Sequence, residues 1–155
     1  MAELTEGAVA PYFEGITQTG EKVSLNDFRG KKLVLYFYPK DSTPGCTAEA
    51  CNLRDNYQEM IKRGFSVVGV SPDSEKSHAR FAEKHNLPFP LIADTDKMIV
   101  KEYGVLGEKS MFGKKVFGVK RTTFIIDEEG KIEKIIGKVR TKDHSDQIFS
   151  LYESE

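Results

Sequence analysis

Cysteine is scarce in this sequence, with only Cys46 and Cys51 among 155 residues. Two cysteines are too few for the disulfide framework of a small secreted protein, so we predict a cytoplasmic location where thiols stay reduced. In that compartment a single cysteine pair is more often catalytic, redox-active or metal-binding than structural.

Long apolar runs are also missing. No stretch approaches the roughly 20 residues that a membrane-spanning helix requires. The first residues, MAELTEGAVAPYF, lack the cationic and apolar regions of a signal peptide. We therefore expect neither a membrane segment nor a secretion signal.

An excess of charge of one sign is lacking as well, since 23 basic and 24 acidic side chains give a net charge of −1. This balance provides no electrostatic footprint for nucleic acid or for an anionic membrane. A basic cluster near residues 114–121 is most simply solvated surface. The length and the 39% hydrophobic share predict one globular domain over residues 1–155.

Apolar runs, glycines and prolines predict an α/β fold with a mixed central sheet and an N-terminal β-hairpin. The predicted strands are 12–17, 21–25, 32–38, 65–71, 90–93, 122–127 and 131–137. The predicted helices run from 46 or 47 to 63, with a buried stripe of Leu53, Tyr57, Met60 and Ile61, then 74–85, 95 or 96 to 103, and 143–152. Residues 104–119 are expected to form a glycine-spaced loop with an edge strand at 115–119.

Cys46 follows a proline-bounded loop and stands where the first helix is expected to begin. A catalytic cysteine reacts as its thiolate, which a helix N-terminus or a nearby cation stabilises. Thr43 lies three residues earlier, and its hydroxyl can donate one hydrogen bond and accept another. Pro39 and Pro44 fix φ and stiffen the loop. These features predict that Cys46 is a nucleophile.

The spacing of the two cysteines predicts a conformational change. Five residues along a helix rise about 7.5 Å and turn about 140°, so the sulfurs lie on different faces. The Cα separation exceeds the limit of about 7 Å for a disulfide. A bond between Cys46 and Cys51 therefore requires the first helical turns to unwind.

Other roles for the thiols stay open. Either cysteine would also fit as an inert thiol, whereas a zinc site is disfavoured because the spacing differs from a Cys-x₂₋₄-Cys knuckle and the histidines are distant in sequence. His78, His85 and His144 are predicted to be surface residues. None lies in a motif that would make it a base for a cysteine.

The residues around Cys46 resemble a known family. The stretch PKDSTPGC, Pro39 to Cys46, contains the PxxxTxxC pattern of peroxiredoxins, and its continuation GCTAEACNLRD resembles the bacterioferritin-comigratory protein, or peroxiredoxin Q, subfamily. The lead-in from Gly7 and the later VKRTTFIIDEEGKI are similar too, so the resemblance covers nearly the whole chain. It implies a thioredoxin-like fold and cysteine-based peroxide reduction without a metal or bound organic cofactor.

The resemblance also implies roles for single residues. Cys46 would be the peroxidatic cysteine, Thr43 the active-site hydroxyl, Pro39 the residue that shields the pocket, and Arg121 the active-site arginine. Glu49 lies where many relatives carry a residue that can hold this arginine.

Cys51 lies at the resolving position of the subfamily. The implied cycle forms an intramolecular Cys46–Cys51 disulfide after reduction of H₂O₂ or an alkyl hydroperoxide, and thioredoxin or a similar dithiol recycles it. Because both cysteines belong to one chain, this atypical 2-Cys chemistry needs no dimer, and we expect a monomer that dimerises weakly at most.

Two alternatives remain. A thioredoxin-like thiol–disulfide oxidoreductase would carry Cys-x-x-Cys, whereas Cys46 and Cys51 enclose four residues. A non-enzymatic thioredoxin-fold binding module would show no fast oxidation by peroxide. Met111, Phe112 and Phe117 are candidates for an apolar flank of the pocket, with ordinary packing an equal alternative.

Overall fold

The computed structural model describes residues 4–111 and 113–153. The strands are β1 (Glu14–Ile16), β2 (Lys22–Ser24), β3 (Lys32–Phe37), β4 (Phe65–Ser71), β5 (Leu91–Ala93), β6 (Leu106–Met111), β7 (Lys114–Val119), β8 (Thr122–Ile126) and β9 (Ile132–Ile136). The helices are α1 (Pro44–Asp55), α2 (Tyr57–Lys62), α3 (Glu75–His85), α4 (Met98–Glu102) and α5 (His144–Ser150), and a 3₁₀ turn spans Leu25–Phe28.

The central sheet is mixed, as predicted, and its strand order is β5-β4-β3-β8-β9. Strand β3 lies in the middle, parallel to β4 and antiparallel to β8. A parallel pair requires a crossover connection, and α1 and α2 supply it between β3 and β4. The N-terminal hairpin of β1 and β2 is confirmed.

Both faces of the sheet are covered, which explains why β3 is apolar at almost every position. Alternate side chains of a strand point to opposite faces. Val34 and Tyr36 therefore enter the core beneath α1, α3 and α5, while Leu33 and Leu35 enter the core beneath α4.

The helix predicted to end at residue 63 is broken at Asn56 and begins earlier, at Pro44. Proline suits the first helical position, where its missing N–H costs nothing. At the break, the Asn56 side-chain amide donates to the Asn52 carbonyl at 2.9 Å and competes with the backbone bond. Leu53 and Met60 are buried as predicted, but Ile61, expected in the same stripe, is 46% exposed.

Asn52 also ties α1 to the last helix. Its Oδ1 accepts a hydrogen bond from the Ser145 N–H at 2.7 Å, at the start of α5. The later half of α1 is thereby fixed to a second helix.

Helix α3 agrees with its prediction: the Ser74 hydroxyl caps it, and Asn86 ends it in the left-handed region. Helices α4 and α5 lie within their predicted ranges but are shorter.

Residues 104–119 form a hairpin and not the expected loop. Strand β7 contains the predicted edge strand, but β6 was missed because its sequence, LGEKSM, lacks an apolar alternation. Phe117 is 69% exposed. Phe112 and the side chain of Met111 lie outside the described residues.

None of the helices in the described part of the chain combines the length and apolarity needed to cross a membrane.

Candidate active site

Cys46 occupies the first turn of α1, at the carboxyl-end side of β3. The backbone of Thr43 is extended and places it at the N-cap, so Pro44 starts the helix. The N–H groups of a first helical turn carry partial positive charge, which favours an anion there. Cys46 forms no disulfide and is buried, with 1% of its surface exposed.

Arg121 contacts the Cys46 sulfur, although 75 residues separate them. Its Nη2 donates to Sγ at 3.3 Å, and its Nη1 donates to Glu49 Oε1 at 2.8 Å. The sheet register explains this proximity, because Phe37 at the end of β3 pairs with Thr122, the first residue of β8. The predicted juxtaposition of cation and thiol is therefore present.

Close approach of this guanidinium depends on Gly45. A Cβ atom at this position would lie 3.0 Å from Arg121 Nη2, closer than side chains normally tolerate. Burial alone would lower the pKa of Arg121, but the neighbouring charges of Cys46 and Glu49 raise it, so the cation is retained.

Glu49 is fully buried beneath this arginine. Burial raises its pKa to about 7, against the opposing effect of Arg121. Oε1 accepts from Arg121, whereas Oε2 has no hydrogen-bond partner among the described residues. Oε2 lies 3.6 Å from His144 Nε2.

The prediction that His144 is a surface residue is wrong, since the side chain is fully buried. Gln147 Oε1 accepts from the Arg140 N–H and faces His144 Nδ1 at 2.9 Å, so Nδ1 carries the proton. Nε2 then accepts from the Thr123 hydroxyl at 2.9 Å. Burial lowers the pKa of His144 to about 4, so the ring is neutral at pH 7. A signal existed, because His144 precedes the core residue Ile148 by four positions, on one helical face.

The loop before Cys46 is held by a buried cluster that sequence reasoning missed. Asp41 Oδ2 lies 2.7 Å from His78 Nδ1, and the backbone N–H of Asp41 donates to Asp73 Oδ2 at 2.8 Å. Burial would raise the pKa of Asp41, but hydrogen bonds from His78, Tyr38 and a serine lower it overall. The prediction of a surface His78 is also wrong, because its ring is buried and bonds to a β5 carbonyl.

Asp41, Asp73 and His78 place three metal-ligating atoms within 4.8 Å of one another. Each atom already has protein hydrogen-bond partners, including the Ser71 and Ser77 hydroxyls. We therefore interpret the cluster as the anchor of the loop and not as a metal centre.

An open cleft of about 550 Å³ lies above the first turn of α1. It is lined by Pro39, Lys40, Thr43, Gly45, Pro72, Lys97, Leu106, Phe117, Gly118, Val119 and Arg121. Arg121 reaches both the cleft and the Cys46 sulfur, and so connects them. The Thr43 hydroxyl donates to the Lys40 carbonyl at 2.8 Å, which leaves its oxygen as an acceptor towards the cleft.

Cys51 lies on the same helix, half-buried and unpaired. Its Sγ is 3.7 Å from Nδ1 of His85, the last residue of α3. His85 is half-buried, so its prediction as a surface residue is only partly right, and the contact was not foreseen.

Residues 7–135 match the model of the AhpC/TSA family. The chain belongs to this family. Over 138 residues it is 47% identical to the peroxiredoxin Bcp of Bacillus subtilis, which covers 89% of this chain and 88% of that protein.

Solved structures agree with this assignment. The PrxQ of Xylella fastidiosa matches with a TM-score of 0.91 and 29% identity, over 99% of this chain and 98% of that chain. A structure of the Xanthomonas campestris bacterioferritin comigratory protein, whose description concerns alkyl peroxide reduction, matches with a TM-score of 0.84 and 37% identity over 92% and 90%. The chain is a peroxiredoxin with a thioredoxin-like fold, an enzyme that reduces peroxides through a reactive cysteine.

Proposed function

We propose that Cys46 is the peroxidatic cysteine of this peroxiredoxin and that Cys51 resolves it. The observation that carries the assignment is the contact of Arg121 Nη2 with the Cys46 sulfur at 3.3 Å, at the edge of an open cleft. A guanidinium fixed at this place stabilises a thiolate and can also donate to the oxygens of a bound peroxide.

In the first step the Cys46 thiolate attacks the terminal oxygen of the peroxide, and the O–O bond breaks. Cys46 becomes a sulfenic acid, and the leaving alkoxide or hydroxide takes a proton from solvent. Arg121 and the first-turn N–H groups stabilise the negative charge that develops on the oxygens. Thr43, whose own hydrogen is directed to Lys40, accepts from the peroxide O–H.

Pro39 and Glu49 act indirectly. Pro39 lines the cleft and keeps water from the reacting oxygens. Glu49 holds the second nitrogen of Arg121 at 2.8 Å and so fixes the plane of the guanidinium.

In the second step Cys51 attacks the sulfenic sulfur and displaces water, which leaves a Cys46–Cys51 disulfide. Both sulfurs are free in an intact α1, which supports the expectation that the first turns unwind before this step. A dithiol reductant of the thioredoxin type then restores both thiols.

The proposed substrates are H₂O₂ and alkyl hydroperoxides. Apolar residues such as Leu106, Phe117 and Val119 on the hairpin side of the cleft support the second class. No nucleic acid or membrane partner is proposed, because the net charge of −1 favours neither.

We further propose a single domain that works as a monomer or weak dimer in the cytoplasm. One central sheet joins elements from both halves of the chain, and both proposed reacting cysteines lie in one helix. The small number of cysteines, together with a cycle that needs both of them as thiols, supports the cytoplasmic location.

The assignment is tested by mixing the reduced protein with one equivalent of H₂O₂, followed by thiol counting and intact-mass measurement. We expect rapid loss of both thiols and of about 2 Da, the signature of one disulfide. Slow oxidation at the rate of a free thiol would favour a thiol–disulfide oxidoreductase or a binding module.

Serine variants assign the two roles. Cys46→Ser is expected to abolish peroxide-dependent turnover, and substantial remaining turnover would remove Cys46 from its role. Cys51→Ser is expected to form a stable sulfenic acid that a dimedone probe traps, with thioredoxin-dependent turnover lost. Full turnover by Cys51→Ser would leave Cys51 without a function in the cycle.

A further inference from the structure

Cys51 has a titratable neighbour from another helix. Nδ1 of His85 lies 3.7 Å from its sulfur, a distance suited to a hydrogen bond that involves sulfur. The ring is held in place, because it packs edge-on against Phe81 with centroids 5.2 Å apart. The half-buried pair of Cys51 and His85 is therefore a fixed part of the interface between α1 and α3.

Arg54 fixes the same contact from the side of α1. Arg54 lies three residues beyond Cys51, and its Nη1 donates to the backbone carbonyl of His85 at 2.8 Å. The end of α3 is thus bound to the helix that carries both cysteines.

Burial and neighbouring positive charges both disfavour the protonated form of the His85 ring. Burial lowers the pKa of His85, and the positive charges of Lys84 on α3 and Arg54 on α1 lower it further. Nδ1 of a neutral ring that carries its proton on Nε2 has a free lone pair. In that tautomer the lone pair on Nδ1 faces the Cys51 sulfur, 3.7 Å away.

We infer that His85 is the general base of the resolving step, a conclusion that rests on the proposed role of Cys51. The two carrying observations are the 3.7 Å contact and the anchoring of the histidine by Arg54 and Phe81. A resolving thiol must lose its proton as it attacks, and an imidazole within reach of that proton accelerates such a step.

The step balances without a further reagent. The Cys51 sulfur attacks the sulfur of the Cys46 sulfenic acid, its proton passes to His85 Nδ1, and the S–O bond of Cys46 breaks. The leaving hydroxide takes up a proton, from His85 or from solvent, and becomes water. Cys46 is reduced from the sulfenic to the disulfide level while Cys51 is oxidised to it.

The test separates the two chemical steps in His85→Ala and His85→Gln by rapid quench and intact-mass analysis. Sulfenic acid formation on Cys46 is expected at the rate of the unmodified protein. Conversion to the disulfide is expected to slow by on the order of a hundredfold near pH 6.5, the lower end of the range for general-base catalysis. Above about pH 8.5, where free thiols ionise unaided, the rates should converge.

Imidazole in solution should partly restore the rate of His85→Ala near pH 6.5, which a merely structural role would not allow. Glu83→Ala is the matched control, an exposed residue in the last turn of α3. An unchanged resolving rate, or a slowing equal at all pH values and insensitive to imidazole, would overturn the role of His85. Absence of any Cys46–Cys51 disulfide in the unmodified protein would instead refute the proposed function.

Discussion

Replacement of Glu49 by glutamine tests the electrostatics beneath the active site. Glutamine keeps an oxygen for Arg121 and nearly the same volume, but it cannot ionise. The carboxyl of Glu49 is fully buried, and burial raises its pKa from 4.5 to about 7. The substitution therefore removes one buried titrating group with little change of shape.

The magnitude follows from linkage. Each tenfold difference in proton affinity between the folded and unfolded chains corresponds to about 1.4 kcal/mol. With a folded pKa of about 7 against an ordinary value of 4.5, Glu49 contributes a stability that is complete below pH 4.5. As the pH rises through 7, about 3 kcal/mol of it is lost, because the unfolded chain gives up its proton first.

His144 titrates with the opposite sign. Its folded pKa of about 4 lies below the ordinary value of 6.5, so its contribution is complete above pH 6.5 and is lost as the pH falls through 4. Between about pH 4.5 and 6.5 the two effects cancel, since folding in effect moves one proton from His144 to Glu49.

Urea unfolding of the reduced protein, followed by far-UV circular dichroism between pH 4.5 and 7.5, measures both effects. Relative to the unmodified protein, Glu49→Gln should gain about 3 kcal/mol across this range. His144→Gln should shift in the opposite direction, and the exposed Glu83→Gln serves as control. A stability difference for Glu49→Gln that is constant within about 0.5 kcal/mol would refute the reasoning.

Three further substitutions test the geometry around Cys46 by stopped-flow measurement of the peroxide reaction. Arg121→Lys should lower the second-order rate constant on the order of a hundredfold, because one ammonium cannot hold both Cys46 and Glu49 in the fork geometry; near-normal rates would show that charge alone suffices. Gly45→Ala should lower the same rate constant about tenfold because the added methyl group displaces Arg121, with little change in Tm. An unaffected rate would mean that the guanidinium adapts. Thr43→Val should lower this rate constant about tenfold, whereas Thr43→Ser, which keeps the hydroxyl, should retain most of it. Equal rates for the two variants would remove the hydroxyl from the mechanism.

Local patterns carried much of the fold prediction. Strands β3 and β4 are continuous apolar runs that end at proline or polar residues, so their bounds were predicted to within a residue. The start of α1 was predicted two or three residues late, at 46 or 47, although Pro44 suits the first position of a helix. The break at Asn56 was missed, since one side-chain hydrogen bond competes there with an otherwise helical sequence.

Site residues close together in the sequence were predictable, whereas those brought together only by the tertiary fold were not. Cys46 and Thr43 lie in one loop, whereas Arg121 entered only through the resemblance, because the β3–β8 register that brings it near is not visible in the sequence. His78 and His144 were placed at the surface because histidine is polar, yet hydrogen bonds to buried acceptors and donors allow both to be fully buried.

The two halves of α1 differ in how firmly they are held. Beyond Cys51, Asn52 and Arg54 bond to backbone groups of α5 and α3. The half that carries Cys46 begins at an exposed proline and is bonded to the single side chain of Arg121. Amide exchange should therefore be graded along this one helix, fast near Thr47 and slow near Leu53. Unwinding that starts at the Cys46 end is expected to stop just after Cys51, where Asn52 and Arg54 bond to neighbouring helices. We expect the reduced and oxidised enzymes to share the core outside the first turns of α1, so that a reductant distinguishes them by the backbone at the mouth of the cleft.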